Sequence, residues 1–177
     1  LFENEIKQAM IIIGYNTSNI KNDDYPILKV TNGILGSGMS SRLFKELREK
    51  YGLAYEVGSF FPSRYYDSFF AGYIGTSKNS IVQSKEGVIL EFEKLKNSDV
   101  SDEELKRAKN SITGNFGLDH QRNMKQAWYL GWFELLGCGY SYDEQYSLKI
   151  KAVTKEDIKR IANKYFTKPV IIITDPK

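Results

Sequence analysis

The chain has 177 residues, 25 basic and 22 acidic side chains, a net charge of +3, one histidine and one cysteine. A zinc-peptidase helix needs two histidines, and a zinc ribbon, a Cys-x-x-Cys redox pair or a disulfide needs two cysteines. Because His120 is the single histidine and Cys138 the single cysteine, the chain cannot form any of these sites by itself. Its charges are interspersed and its longest apolar run, Ala9 to Ile13, is far shorter than a membrane span of roughly 20 residues, so we expect no nucleic-acid partner and no membrane segment.

The first elements predicted along the chain are a strand, a loop and two helices. The strand covers 6–15 and ends in β-branched residues, and a polar loop covers 16–24. Pro26 is typical of a first helical turn, and apolar residues follow it at helical spacing. After a glycine-rich turn, a second helix is predicted over 42–50, capped by Ser40 or a neighbour.

The rest of the chain is predicted to form a hairpin, several helices and a final strand. Gly52 is typical of a helix C-cap. Two aromatic-rich strands over 54–61 and 67–76 favour a hairpin. Capping-box patterns begin at Ser101 and Thr154. The remaining predicted elements are helices over about 79–97, 102–117, 120–137 and 141–150, a helix from Thr154 to near Tyr165, and a strand over 169–174.

This order of elements predicts the fold class. Strands and helices do not alternate regularly, which indicates an α+β domain with a mostly antiparallel sheet. The length fits a single domain over 1–177. No signal peptide is visible at Leu1. Because the chain starts with leucine and not with methionine, we expect a fragment of a larger multidomain protein. A single cysteine suits a reducing compartment, and we expect a cytoplasmic one.

Two motifs resemble catalytic or nucleotide-binding patterns but have simpler explanations. Gly36-x-Gly38 precedes a helix like a phosphate loop, yet the third glycine is replaced by Ser41 and no Walker lysine is present, so a tight turn with an N-cap is favoured. His120, next to Asp119, is a candidate general base, but no Gly-x-Ser-x-Gly elbow occurs, and at a predicted helix start an exposed or capping role is favoured.

Other candidates also favour structural roles. Cys138 follows an apolar helix, where a buried, inert thiol is the common outcome. The cations Lys106, Arg107 and Lys109 predict a solvated helix face. The aromatic strands lack interleaved lysine and arginine, so we expect their rings to serve packing instead of RNA binding.

Arg48 and Tyr55 are the most informative pair. Arg48 lies in the last turn of the second predicted helix, and Tyr55 lies three residues past Gly52, so the glycine turn brings the two side chains toward one side. A guanidinium beside a phenol is suited to hold a peptide carbonyl or an oxyanion developing from it. The alternative is that Arg48 complements the helix dipole and Tyr55 packs on the sheet, and the residues alone favour this alternative.

The 21-residue stretch from Leu35 to Tyr55 contains Ser-Ser-Arg-Leu-Phe, Arg-Glu-Lys and Gly-Leu-Ala-Tyr. It closely resembles the signature of the C-terminal half of the pitrilysin, insulinase and mitochondrial-processing-peptidase family of zinc metallopeptidases. Weaker similarities follow in the family's order at Ser101 to Lys109, Ala152 to Ile158 and Pro169 to Asp175. The resemblance therefore covers nearly the whole chain.

This resemblance implies a fold and a function. It implies an α+β domain whose helices pack on one face of the sheet, and a parent protein with two halves that close around a peptide substrate. Zinc is expected in the N-terminal half or in a partner subunit, where a glutamate activates the metal-bound water. The non-zinc half supplies an arginine and a tyrosine seven positions apart, which here correspond to Arg48 and Tyr55. We expect this chain to lack a metal, a cofactor and activity of its own.

Two functions follow from the resemblance. The first is a substrate-binding domain of a zinc endopeptidase, in which Arg48 and Tyr55 stabilise the transition state at a zinc site elsewhere. The alternative is a domain of a non-catalytic family member that serves as a scaffold or partner subunit. A third class, a free-standing nucleic-acid-binding domain, is disfavoured because no basic stripe accompanies the aromatic residues.

Overall fold

The elements predicted from the sequence are present, with shifted boundaries. A computed structural model describes residues 8–97 and 100–174, so residues 6 and 7 of the predicted first strand, and Asp175 of the closing similarity, lie outside the described residues. The elements are β1 (Ala9–Thr17), α1 (Tyr25–Leu35), a π-helix (Phe44–Lys50), β2 (Glu56–Phe60), β3 (Ser68–Thr76), a 3₁₀ turn (Lys78–Ser80), α2 (Ile81–Asn97), α3 (Asp102–Asp119), α4 (Asn123–Leu135), α5 (Tyr142–Ala152), α6 (Lys155–Tyr165) and β4 (Val170–Thr174).

The strands form one antiparallel sheet in the order β2-β3-β1-β4. The predicted hairpin is confirmed, with Val57 of β2 opposite Ile74 of β3. Strand β1 is central, since Ile13 pairs with Gly72 of β3 on one side and with Ile171 of β4 on the other. The α+β class and the antiparallel sheet are therefore as predicted.

The main core lies between the sheet and the helices that cover one of its faces. Ile11, Ile13 and Tyr15 alternate toward this face and are buried. Helix α2 packs on β1 and β3, and α6 packs on β1. A side chain at Gly72 would place its Cβ 2.9 Å from the ring of Phe92, so the glycine lets α2 approach the sheet closely. In contrast, all five side chains of the edge strand β4 are exposed.

Both predicted capping boxes are confirmed. The Ser101 Oγ accepts a hydrogen bond from the backbone N–H of Glu104 at 3.2 Å, and Thr154 Oγ1 accepts one from Asp157 at 3.2 Å. One predicted boundary was wrong: α4 begins at Asn123 and not at residue 120. His120 instead continues the end of α3, because its N–H donates to the Phe116 carbonyl.

A buried carboxylate joins the start of α1 to the end of α6. Asp24 Oδ1 accepts a hydrogen bond from Arg160 at 2.9 Å. Its Oδ2 accepts bonds from Lys164 at 2.7 Å and from the Tyr165 hydroxyl at 2.8 Å. These three donors compensate for the removal of Asp24 from water. The contact holds together segments that are about 140 residues apart in the chain.

Candidate functional site

The segment that carries Arg48, Phe44–Lys50, is a π-helix, where a regular α-helix was predicted over 42–50. Its wider spacing is visible in the hydrogen bond from the Tyr51 N–H to the Glu46 carbonyl, five residues earlier, at 3.1 Å. Leu47 is its buried residue, and an added Cβ at Gly87 of α2 would lie 2.5 Å from Leu47. The missing side chain at Gly87 therefore gives the widened turn room to pack.

The predicted serine cap on this helix is absent. No side chain caps its N-terminus. The Ser40 carbonyl instead accepts a hydrogen bond from Arg107 at 2.9 Å, and the Ser41 hydroxyl donates to the carbonyl of Gly38 at 2.7 Å. These two serines thus stabilise the preceding turn, while Arg42 at the helix start forms an ion pair with Glu104 at 2.6 Å.

The backbone between Arg48 and Tyr55 is fixed by hydrogen bonds. Gly52 has φ of +62°, as expected for a C-cap glycine. The Leu53 N–H donates to the Leu47 carbonyl at 2.8 Å, and the Tyr55 N–H donates to the carbonyl of Gly75 in β3 at 2.9 Å. The chain therefore turns directly from the π-helix into β2, and the two elements pack against each other.

Both side chains of this predicted pair are exposed and retain free donors. The Tyr55 side chain is 56% exposed, and the Arg48 guanidinium carbon lies 5.2 Å from the centre of the Phe44 ring. Within residues 8–97 and 100–174, neither side chain forms an ion pair or a side-chain hydrogen bond. Packing on the sheet, the structural alternative for Tyr55, accounts poorly for so exposed a ring. That the pair contacts one ligand remains a prediction.

The described residues do not fit a zinc ion. Across the described part of the chain, no group of three or more histidine, cysteine, aspartate and glutamate side chains is placed to hold a metal. Both ring nitrogens of His120 already contact oxygen atoms: Nδ1 lies 2.7 Å from the Phe116 carbonyl and Nε2 lies 3.0 Å from Asp143. We therefore assign no metal-dependent step to these residues.

Backbone geometry explains both glycines of the phosphate-loop-like motif, Gly36 and Gly38. A Cβ at Gly36 would lie 2.2 Å from the backbone nitrogen of Ser59 in β2, so only glycine fits. Gly38 has φ of +82°, in the left-handed region. This arrangement supports the tight turn that the sequence favoured over a nucleotide site.

The predicted roles of Cys138 and of the basic cluster need adjustment. Cys138 is half-buried, and burial raises the pKa of its thiol, which makes it less reactive. In the cluster, Arg107 reaches the Ser40 carbonyl, and Lys109 donates to the Lys151 carbonyl at 2.8 Å. The expectation of a purely solvated face was therefore wrong for these two cations, which connect α3 to other segments.

Sequence reasoning did not single out Lys29, which lies in an aromatic cleft. The lysine follows Tyr25 by one helical turn, in a helix whose buried residues are apolar except for Thr31. A cation among core positions of an amphipathic helix was the available signal. Its neighbours come from four other segments, and this proximity is not visible in a single sequence.

None of the helices within the described residues is long and apolar enough to cross a membrane.

Comparisons with known proteins identify relatives. Residues 2–112 match the family described as the peptidase M16 inactive domain. The chain is 29% identical over 163 residues to an uncharacterized zinc protease, YmxG, of Bacillus subtilis, covering 92% of this chain and 40% of the relative. It is 30% identical over 166 residues to a probable inactive metalloprotease, YmfF, of the same organism, covering 92% of this chain and 38% of the relative.

A solved structure supports the same assignment. The crystal structure of a peptidase M16 inactive domain from Pseudomonas fluorescens superposes with a TM-score of 0.86 at 28% identity, over 96% of this chain and 41% of that chain. The chain thus spans about two fifths of the length of these relatives. The family match at residues 2–112 spans more than half of the chain, and the fold agrees with the solved structure over 96% of it. This chain is therefore a member of the peptidase M16 inactive-domain family.

Proposed function

We propose that this chain is the substrate-binding domain of the non-zinc half of a zinc metalloendopeptidase, where it closes the proteolytic chamber. The observation that carries the proposal is the pair of exposed side chains, Arg48 and Tyr55, on a backbone fixed by hydrogen bonds. A π-helix often marks a functional site, and Arg48 lies within one.

The chemistry of the pair suits a peptide carbonyl. A guanidinium has five N–H donors and a phenol has one O–H donor, and neither needs a negative partner inside the protein. Donors held in a fixed position bind the carbonyl oxygen in the ground state and bind it more strongly as negative charge develops on it. Hydrogen bonds to an oxyanion are about twice as strong as those between neutral groups.

The remaining catalytic groups belong to another part of the assembly in this proposal. The chain covers 40% and 38% of the two bacterial relatives, so the proposal treats 177 residues as one domain of a longer protein. The metal-bearing half then lies on the same polypeptide or on a partner subunit. This domain contributes the facing wall of the chamber and the two donors.

The test is kinetic and uses the full-length protein, together with its metal-bearing partner subunit where the two halves are separate chains. We expect Arg48→Ala to lower kcat/KM for peptide hydrolysis by about 100-fold and Tyr55→Phe by about 10-fold, in the range of losses from removing single oxyanion donors. Arg122→Ala and Tyr66→Phe are matched controls, since both residues are exposed and lie in other loops, Arg122 between α3 and α4 and Tyr66 between β2 and β3. Unchanged kcat/KM in both site variants would contradict the assigned role.

A second candidate function rests on the match to the probable inactive metalloprotease of Bacillus subtilis. In that case the chain belongs to a scaffold or partner subunit, and Arg48 and Tyr55 bind peptide without hydrolysis. A full-length protein that binds an unfolded peptide, loses this binding in the Arg48→Ala variant and releases no cleavage product would favour this function over the first.

A further inference from the structure

A cleft of about 530 Å³ lies on the side of the molecule formed by α1, the β2–β3 loop, α3, α4 and α5. Aromatic side chains from four helices dominate its walls. Trp128 and Trp132 stack with their ring centres 5.1 Å apart and their planes 13° apart, and Trp128 is 50% exposed. The aromatic lining is Tyr25, Phe116, Trp128, Tyr129, Trp132, Phe133 and Tyr146.

One cation, Lys29, lines this aromatic cleft. Its ammonium donates to the Phe61 carbonyl at 3.1 Å and lies 5.3 Å from the ring centres of both Tyr25 and Phe61. Among residues 8–97 and 100–174, no carboxylate forms an ion pair with it. Burial lowers the pKa of Lys29 to about 8, so the side chain is mostly charged at neutral pH and lacks the anion that buried lysines usually have.

Two carboxylates that act on the wall residue Tyr129 are engaged with other partners. Asp119 accepts a hydrogen bond from the Tyr129 hydroxyl at 2.9 Å, and Asp143 lies 3.0 Å from His120. An ammonium has three N–H donors, and the Phe61 carbonyl uses one. The cleft therefore combines flat apolar walls with a positive group that still has donors to offer.

We propose that this cleft binds an aromatic carboxylate, with the ring against the tryptophan wall and the carboxylate on the Lys29 ammonium. Aromatic stacking orients the ring, and a charge-assisted hydrogen bond in a poorly solvated site selects the anion. Two sources share this chemistry: a free aromatic acid, and the C-terminal aromatic residue of a peptide.

The test uses the fluorescence of the chain's two tryptophans, both of which line the cleft. The probes are 3-phenylpropionate and its neutral amide. We expect saturable quenching by the acid, with a Kd of about 1 mM for so small a ligand, and binding of the amide weaker by about 10-fold or more. Equal affinity for the acid and the amide would overturn the proposal.

Two lysine variants make the test specific. Lys29→Met is expected to remove the preference for the acid while leaving the amide's affinity within about two-fold, since the aromatic walls remain. Lys125→Met is the matched control, because Lys125 lies 5.7 Å from the Trp128 ring but does not line the cleft. An acid preference that survives in Lys29→Met and is lost in Lys125→Met would overturn the assignment. Loss of amide binding in a folded Lys29→Met protein would likewise contradict it.

The pH profile gives an independent readout. Binding of the acid should weaken as pH rises through about 8, because Lys29 loses its charge. The other titratable groups that line the cleft are Tyr25, Tyr129 and Tyr146, whose pKa values are raised by burial, so they stay neutral over this range. His120 contacts the rings of Phe116 and Tyr129 but does not itself line the cleft. Binding that is flat from pH 7 to pH 9.5 would exclude Lys29 as the anion's partner.

A peptide pair distinguishes the two ligand sources. One peptide ends in phenylalanine with a free carboxylate, and the other is its C-terminal amide. Preference for the free carboxylate assigns the cleft to peptide ends. If neither peptide binds while 3-phenylpropionate does, the proposal holds for small aromatic acids.

Discussion

Asp24 and Lys29 lie at the start of the same helix, both largely removed from water, yet their surroundings differ. Asp24 is held by Arg160, Lys164 and Tyr165. Lys29 has one carbonyl and two aromatic rings. A buried charge lowers stability unless an opposite charge or hydrogen bonds compensate it. The charge of Asp24 is compensated within the fold, whereas the charge of Lys29 is left for a ligand.

The pKa values of the two groups reflect this difference. Burial alone would raise the pKa of Asp24, but the hydrogen bonds from Lys164, Tyr165 and Arg160 outweigh it, and the pKa is lowered. Burial is the only cause acting on Lys29, and it lowers the pKa from 10.5 to about 8. In the folded protein the charged form is therefore favoured at Asp24 and disfavoured at Lys29.

Asp24→Asn should give the largest change in stability. We expect a loss of about 2 to 3 kcal/mol in the free energy of unfolding at pH 7, below the range for fully buried pairs because Arg160 and Lys164 are half-exposed. The folded-state pKa of Asp24 lies below its value of 3.8 in the unfolded chain, so this stabilisation is present above about pH 4 and is lost as pH falls further.

Urea unfolding at pH 7 and at pH 3 measures the effect, with Asp23→Asn as the exposed neighbouring control. A difference between Asp24→Asn and the parent sequence that is as large at pH 3 as at pH 7 would mean that charge is not its cause.

Lys29→Met should have a smaller effect of opposite sign, a gain of about 1 to 2 kcal/mol at pH 7. A shift from 10.5 to about 8 corresponds to roughly 3 kcal/mol, and the unpaired Phe61 carbonyl removes about 1 kcal/mol of it. Between these two pKa values the unfolded chain binds more protons, so the stability of the parent sequence rises with pH. The gain should therefore vanish by about pH 10.5.

Unfolding curves from pH 7 to pH 10.5 test this expectation, with Lys106→Met on the exposed face of α3 as the control. A loss of stability at pH 7 in Lys29→Met would show that the lysine is compensated inside the fold, and the contrast with Asp24 would fail.

Arg48→Ala should give the smallest change, within about 0.5 kcal/mol. Its side chain is exposed and its guanidinium lies over the Phe44 ring, and it forms no ion pair within residues 8–97 and 100–174, so little is lost when water replaces it. Thermal and urea unfolding of the variant measure this. A destabilisation above about 1 kcal/mol would mean that Arg48 is structural, and the activity loss expected above would then need a different explanation.

Much of the fold could be predicted because its signals are local. Ser101 and Thr154 open helices through contacts with residues three positions later, and Gly52 ends one through its own φ. The π-helix was not predicted, because the apolar residues Leu43, Phe44 and Leu47 occur at sequence intervals that fit an α-helix equally well. Its buried residue, Leu47, packs into the space left at Gly87, forty positions away, and this contact is not visible in a single sequence.

The two sites were predictable to different degrees. Arg48 and Tyr55 belong to a short stretch with a recognisable pattern, so they could be proposed as a site from the sequence, and their role remains a prediction. The Lys29 cleft is built from segments spread over more than 110 residues, and its missing counter-ion is a three-dimensional property. The same holds for Asp24, whose partners follow it by 136 to 141 positions.

The central position of β1 has a consequence for biosynthesis. Ile13 can pair with Gly72 soon after the hairpin is made, but its other partner, Ile171, follows Gly72 by 99 positions in the chain. Until Ile171 is in place, one edge of β1 lacks its strand partner, and such open edges are sites of mispairing between nascent chains. Completion of the sheet is therefore a non-local step, and non-local strand pairing is of the kind that slows folding.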